Sequence, residues 1–523
     1  MRKSLLLLTT ILALSSINQI YAQKDSVITR IIQEGKNNNL TMNHLDILTN
    51  RFGGRLIGSN AYTNSAEWVA KKFREWGYQV EMVKVGTVPV GFNRGAWFGK
   101  LLSEDGFILN FVTPSYTSGT KGVQRGHVVA EPKSDIEFKR MRGQLKGAWV
   151  LITGENNGWP IDYSENADKE RAEIIEFNKS AQRYNDSIAR VNRENPKINL
   201  QPKTLKDAPA LFFKEMREAG ILGIIQSAKV PLQALYDRKN LNNMEFDHLP
   251  TCPDIKLDEK QYTIIAQKVK ERQYFQLEFD IRNYFRPGPV EYHNIIATLV
   301  GSEFPDEYVM SGAHLDAYDV ASGGVDDGSG VSPNMEAARL LSIAGAKPKR
   351  SIVFTIWAAE EFGLLGSKHW VENNTDKLSR ISNYFNRDGG PLVPMYIITT
   401  EAMYEDFKKV SEPIINLNPL FPYKVIKREG EPRERPTTAG GSDHAYFQMY
   451  GVPTIGFNLE DPLGFNFQYG EIWHTQRDMY NKSIPEYQNH TSIVMAITLY
   501  GLANLDHTLS RQDLYKTVVK KTK

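Results

Sequence analysis

A single cysteine, Cys252, stands in 523 residues. An internal disulfide is therefore excluded, and packing together with any bound metal must hold the fold. Cys252 lies in the turn-like Leu249-Pro-Thr-Cys-Pro253 with no base in view. It reads as structural, because a reactive thiol needs an electropositive setting. Net charge is nearly absent too: 63 Lys and Arg against 61 Asp and Glu leave +2. The basic residues are scattered rather than striped, which removes the footprint of a nucleic-acid binder. Past the amino terminus no apolar run reaches the roughly 20 residues of a membrane helix. No period of solenoid or propeller length repeats.

Several catalytic signatures are missing as well. There is no HExxH, which excludes a helix-borne zinc pair of that kind, and no GxSxG elbow. Ser442-Asp-His444 holds triad residue types, but neighbours in sequence do not make triad geometry. The Gly-rich segment Gly323-Gly-Val-Asp-Asp-Gly-Ser-Gly330 fits neither GxGxxG nor a P-loop, and its two acids would repel phosphate.

What is present is an ordinary globular composition, 41% hydrophobic and 24% charged, in a chain long enough for two or three structural units. Arg2 and Lys3, the apolar stretch Leu5–Leu14 and the small residue Ala22 read as a signal peptide over 1–22. An exported chain, periplasmic or extracellular, is expected, with no stable membrane insertion once the leader is removed. Apolar residues at helical spacing predict a helix over Asn64–Trp76, stopped by Gly77, and Tyr78–Val85 alternates like a strand. Ala148–Ile152 and Gly223–Gln226 read as short strands, with a charged, helical-looking stretch over Asp162–Asn199 as a solvated excursion. Arg286-Pro-Gly-Pro289 predicts a hinge-like break. Beyond it, Asn294–Val300, Tyr308–Ser311, Ser351–Trp357 and Ile381–Asn386 read as strands, with a helix at Pro333–Leu341 carrying proline in its first turn. Near-continuous apolar strands between helices predict an α/β fold, a mixed and largely parallel sheet flanked by helices, interrupted by a strand-rich insertion.

Five groups able to bind metal fall at the ends of these strands or in loops after them: His314, Asp326, Glu361, Asp388 and His474. Open α/β sheets place ligand sites at the carboxyl ends of strands. Imidazole and carboxylate are the usual donors of a catalytic zinc with open positions. A zinc pair roughly 3.5–4 Å apart needs a carboxylate that reaches both ions. Glu360 and Glu361 could divide the labour, one as base and one as ligand. Asp316, two residues past His314, is the expected partner of the second ring nitrogen of that histidine. His369 and the remaining histidines show no partner pattern.

Singly these signals are weak; their order is what carries weight. His-Leu-Asp, Asp-Asp-Gly-Ser-Gly, Ala-Ala-Glu-Glu-Phe-Gly, Asn-Arg-Asp-Gly-Gly, Gly-Gly-Ser-Asp-His and Trp-His-Thr follow one another along the chain. The series resembles the M28 zinc metallopeptidases, in particular the subgroup with an inserted protease-associated (PA) domain near plasma glutamate carboxypeptidase-like enzymes. Arg55-Leu-Ile-Gly-Ser59 is similar to the start of that family. The resemblance implies a zinc-exopeptidase fold. The implied layout is a first catalytic part over 23–110, a PA-like insert over 111–288, the zinc peptidase domain over 289–510 and a tail over 511–523. It implies two Zn2+ per chain bridged by Asp326, with His314 and Asp388 on one, Glu361 and His474 on the other, and Glu360 as general base. It also implies a cis Asp326–Asp327 peptide. Some members place an oxyanion-stabilising tyrosine where Ala439 stands here, so His444 or Tyr446 would have to serve. A peptide substrate follows, with amino- against carboxypeptidase action open. Glutaminyl cyclisation is the alternative on the same fold, and a homodimer is among the open expectations.

Overall fold

The computed structural model describes residues 26–516, so the expected leader at 1–22 lies outside it. The chain divides into two compact units. The first takes the chain up to Thr87, then Glu291–Trp473 and the part from Arg477 on; the second takes Val88–Val290 with His474–Gln476. The second unit is thus wider than the 111–288 block expected from sequence. The chain leaves and rejoins the first unit in mid-strand, inside Gln79–Asn93 and Tyr284–Leu299, where hydrophobic pattern gives no break. No described helix is long and apolar enough to cross a membrane.

A five-stranded sheet runs in the order Gln79–Asn93, Tyr284–Leu299, Arg350–Trp357, Phe304–His314, Ile381–Asn386. Phe304–His314 lies parallel to both of its neighbours, while Tyr284–Leu299 is antiparallel to Arg350–Trp357. This is the mixed, largely parallel arrangement that the sequence predicts. Every residue of Arg350–Trp357 is buried, as a strand covered on both faces requires. On one face Met310, Val353, Trp357 and Tyr384 pack with Trp370, Val371 and Phe447 of the Leu365–Asn373 and His444–Met449 helices. On the other, Phe354 meets Phe73 of the Asn60–Glu75 helix at 5.9 Å between ring centroids. Ser59 caps that helix by accepting the Tyr62 N–H.

The helix expected at Pro333–Leu341 begins earlier, at Gly328, which puts Pro333 inside it. Gly328 and Gly330 read as loop residues in sequence. At Gly330, however, glycine answers a packing demand: a Cβ there would lie 2.0 Å from the Arg387 carbonyl oxygen.

In the second unit seven strands order as Trp97–Leu102, Gln276–Ile281, Gln124–Ala130, Ala148–Glu155, Gly223–Ala228, Asp254–Asp258, Phe111–Val112. Its sheet separates two apolar cores, one around Trp149 and Phe279, the other around Val150 and Phe212. Cys252 packs against the second, and burial followed by the Asp254 charge pushes its thiol up to about 12, the inert state expected of it. The charged stretch forms one long helix, Glu165–Glu194, with only Ala181 and Ile188 buried. Arg286–Pro289 is not a hinge but part of the Tyr284–Leu299 strand. Its prolines are exposed, and a Cβ on Gly288 would sit 2.0 Å from the Pro89 carbonyl oxygen.

Candidate metal centre

Parallel register brings the chemistry together. His314 pairs with Trp357 and Gly312 with Asn386, so three strands end side by side. The residues that follow them, Asp316, Glu360-Glu361 and Arg387-Asp388, emerge at one sheet edge. Ala359, directly before Glu360, and His474 itself hold φ of 57°. Left-handed backbone at a non-glycine residue costs of order 1–3 kcal/mol and gathers at functional sites.

The imidazole of His314 is buried, with Nε2 3.3 Å from Asp326 Oδ1 and 3.8 Å from Asp388 Oδ2. His314, Glu360 and Glu361 each bring one donor atom to within 4.8 Å of the others. So do Asp326, Glu361 and His474, and so do His314, Asp327 and Asp388. All five residues singled out in sequence, together with Glu360, therefore belong to one connected cluster. Asp326 touches both the His314 side and the Glu361–His474 side, and the peptide that joins it to Asp327 is cis.

Asp316 acts differently from the expectation. The His314 Nδ1 lies 2.9 Å from the Asp316 backbone carbonyl and 3.9 Å from its carboxylate Oδ1. A carbonyl only accepts, so Nδ1 carries the proton and Nε2 faces the acids. The Asp316 carboxylate instead accepts the backbone N–H groups of Glu360 and Glu361, each at 3.1 Å. Two-residue spacing on an extended strand end lets the main chain, rather than the side chain, reach the ring.

Two supporting residues carry no sequence signal strong enough to name them as part of the site. Asp478 accepts the Val325 and Asp326 N–H groups at 2.6 and 3.3 Å and so fixes the bend that presents Asp326. Arg55 is wholly buried and donates to the carbonyls of Leu315, Ser322 and Gly323 at 2.7, 2.8 and 3.0 Å. His444 lies at the start of its helix, where burial lowers its pKa against the pull of Asp388. Tyr446 is partly buried and packs against the Trp357–Phe447 core.

Residues 294–498, which contain all six cluster residues, match the model of peptidase family M28. The chain is similar to that family over this segment. Mouse carboxypeptidase Q is 30% identical over 219 residues, 42% of this chain and 43% of that protein. A probable glutamate carboxypeptidase of Arabidopsis thaliana is 31% identical over 229 residues, 41% of this chain and 32% of that one. The chain thus spans less than half the length of the curated relatives it matches. A solved M28 peptidase precursor from Shewanella amazonensis shares the fold at a TM-score of 0.54 and 20% identity, covering 93% of this chain and 98% of that one.

The electrostatics of this segment suit cations. Burial, then repulsion from Asp326, raises Glu361 well above the usual carboxylate range. Burial, opposed by His314 and reinforced by Glu361, Asp443 and Asp388, pushes Glu360 up to about 10. Burial also opposes charge on His314, yet Glu360, Asp326 and Asp388 outweigh it and raise that ring well above its ordinary value. Five buried or half-buried carboxylates around two imidazoles are expensive to ionise unless positive charge sits among them. Mixed nitrogen and oxygen donors of this kind fit divalent zinc.

Proposed function

We propose that this protein is a zinc-dependent exopeptidase. The observation that carries the reading is the convergence of His314, Asp326, Glu361, Asp388 and His474, with Glu360 beside them, inside a segment similar to family M28. In this reading His314 and Asp388 would hold one ion and Glu361 and His474 a second, with Asp326 available to both. When bound, the pair supplies a polarised carbonyl and a water of lowered pKa. The chain's own residues do the rest. Asp316 and Asp478 orient the donors through backbone N–H groups. Glu360, the carboxylate not spent on a ligand role, takes the attacking water's proton and returns it to the departing amine. Relatives bearing carboxypeptidase names favour removal of single terminal residues from peptides. The second unit is read as a PA-like insert, and the chain as exported.

The test is a panel of short peptides with the amino end, the carboxyl end or both blocked, assayed with and without a chelator alongside zinc analysis. Chelator-sensitive release of single residues from peptides with one free end, at two zinc ions per chain, is expected. Cleavage that survives complete removal of metal would sink the reading.

A further inference from the structure

The helix Glu165–Glu194 holds the chain that returns from it through a ladder of asparagines. Asn178, Asn185 and Asn192 recur every seven residues, and each side-chain amide makes a twin bond to the main chain of one returning residue. Asn178 pairs with the N–H and C=O of Lys206 at 2.8 and 2.7 Å, and Asn185 with those of Lys203 at 2.8 and 2.9 Å. Asn192 pairs with those of Leu200 at 3.0 Å each. Seven helical residues rise about 10.5 Å and three extended residues cover about 10 Å, so the two spacings keep step. The Lys203 and Lys206 ammoniums lie over the Tyr184 and Phe177 rings at 4.8 and 4.6 Å, which occupies both charges. Thus pinned, the return lines one side of a groove of about 520 Å³, whose other walls are this helix and the start of the helix Asp135–Leu145. Its floor is apolar. Leu211 and Phe212 are buried there, while Ile136 and Leu205 line it 75% and 46% exposed.

Four cations line the groove, and two of them are engaged: Lys133 with Glu131 and Asp207 at 2.8 and 2.9 Å, and Lys179 with Asp135 at 2.8 Å. Of the acids, Asp135 and Glu176 are answered by Lys179, and Asp186 by the Gln182 amide. Lys139 and Arg183, one from each helix, make no ion pair or hydrogen bond among the described residues. The main-chain N–H and C=O of Leu205, between two rungs of the ladder, are unpaired among those residues as well. Two free cations, an apolar floor and a free main-chain donor and acceptor are met together by one small chemistry. The last residues of a peptide carry a carboxylate, a side chain and an amide side by side. We propose that this groove docks the carboxyl end of an extended peptide whose last side chain is apolar. The carboxylate bridges Lys139 and Arg183, the side chain rests on Leu211 and Phe212, and the amide pairs with Leu205 as an added strand does. The ladder fixes Leu205 beforehand, so little ordering accompanies binding. None of these residues belongs to the metal cluster, and the inference stands apart from the peptidase reading.

The test uses the zinc-loaded full chain carrying Glu360→Gln, so that the probe outlasts the measurement, and a hexapeptide ending in leucine with fluorescein on its amino end. Anisotropy should show saturable binding of the free acid and about 10-fold weaker binding of the carboxamide. Lys139→Gln and Arg183→Gln, both at exposed positions, should each weaken the free acid about 10-fold and leave the carboxamide where it was. A photoreactive group on the penultimate residue should label fragments from residues 133–139 or 203–212. Absence of binding, equal binding of acid and carboxamide, full affinity in both variants, or a label confined to other parts of the chain would overturn the proposal. Dodecanoate binding more tightly than the free-acid peptide and displacing it would assign the groove to a fatty acid and overturn the proposal too.

Discussion

The carboxylate of Asp316 grips the backbone of Glu360 and Glu361, not the ring of His314. One aspartate thereby ties the end of the Phe304–His314 strand to the loop after Arg350–Trp357, and it aims two neighbouring glutamates at once. Asp316→Ala leaves two half-buried N–H groups without their acceptor, each worth about 1–3 kcal/mol. A fall in kcat of about 10- to 100-fold is expected, with weaker zinc retention under dialysis. Asp316→Asn keeps one acceptor oxygen and should fall between. Unchanged zinc affinity and rate in Asp316→Ala would show that the loop holds itself.

Glu360→Gln removes a proton acceptor while keeping shape. The variant should retain as much zinc as the parent, by atomic emission, and lose hydrolysis by several orders of magnitude. Glu361→Gln should instead lose zinc. If the two variants exchanged these phenotypes, the division of labour between the neighbours would be reversed.

His490 offers a pH-dependent signature away from the centre. Burial, helped by the Lys36 charge, lowers its pKa from 6.5 to about 4, and its ring stacks edge-on against Phe421 at 4.9 Å. Between those values the unfolded chain takes up a proton that the folded chain refuses. Stability is therefore expected to fall as pH drops from 6.5 towards 4, by at most about 3 kcal/mol from this residue. Urea melts of His490→Gln should show a shallower loss over that window than the parent. Identical slopes would remove His490 from the account.

In the second unit, Trp149 is fully buried and meets the Phe279 ring at 4.7 Å. Trp149→Ala should cost about 3–5 kcal/mol through the void it leaves, read by chemical denaturation. A loss below 1 kcal/mol would mean that the two apolar cores close up around the gap.

Much of the first unit's sheet was legible because its strands are long apolar runs with turn residues at both ends, Ile381–Asn386 being matched to the residue. The cluster was legible because strand ends announce where loops deliver their side chains. What sequence could not supply was interaction through the main chain. The Asp316 grip, the Asp478 bond to the Asp326 loop and the tight packing at Gly330 and Gly288 all involve backbone atoms of distant residues, which leave no side-chain pattern to read.

Arg55 donates its guanidinium to main-chain carbonyls around the Asp326 loop, among them Leu315, Ser322 and Gly323, so side-chain hydrogen bonds of the chain itself brace that segment. Demetallation should accordingly be reversible without refolding. Stripped protein is expected to keep its far-ultraviolet circular dichroism and regain activity within the mixing time on adding zinc. Arg55→Lys, which retains the charge but not the planar fork, should recover slowly and incompletely after the same treatment.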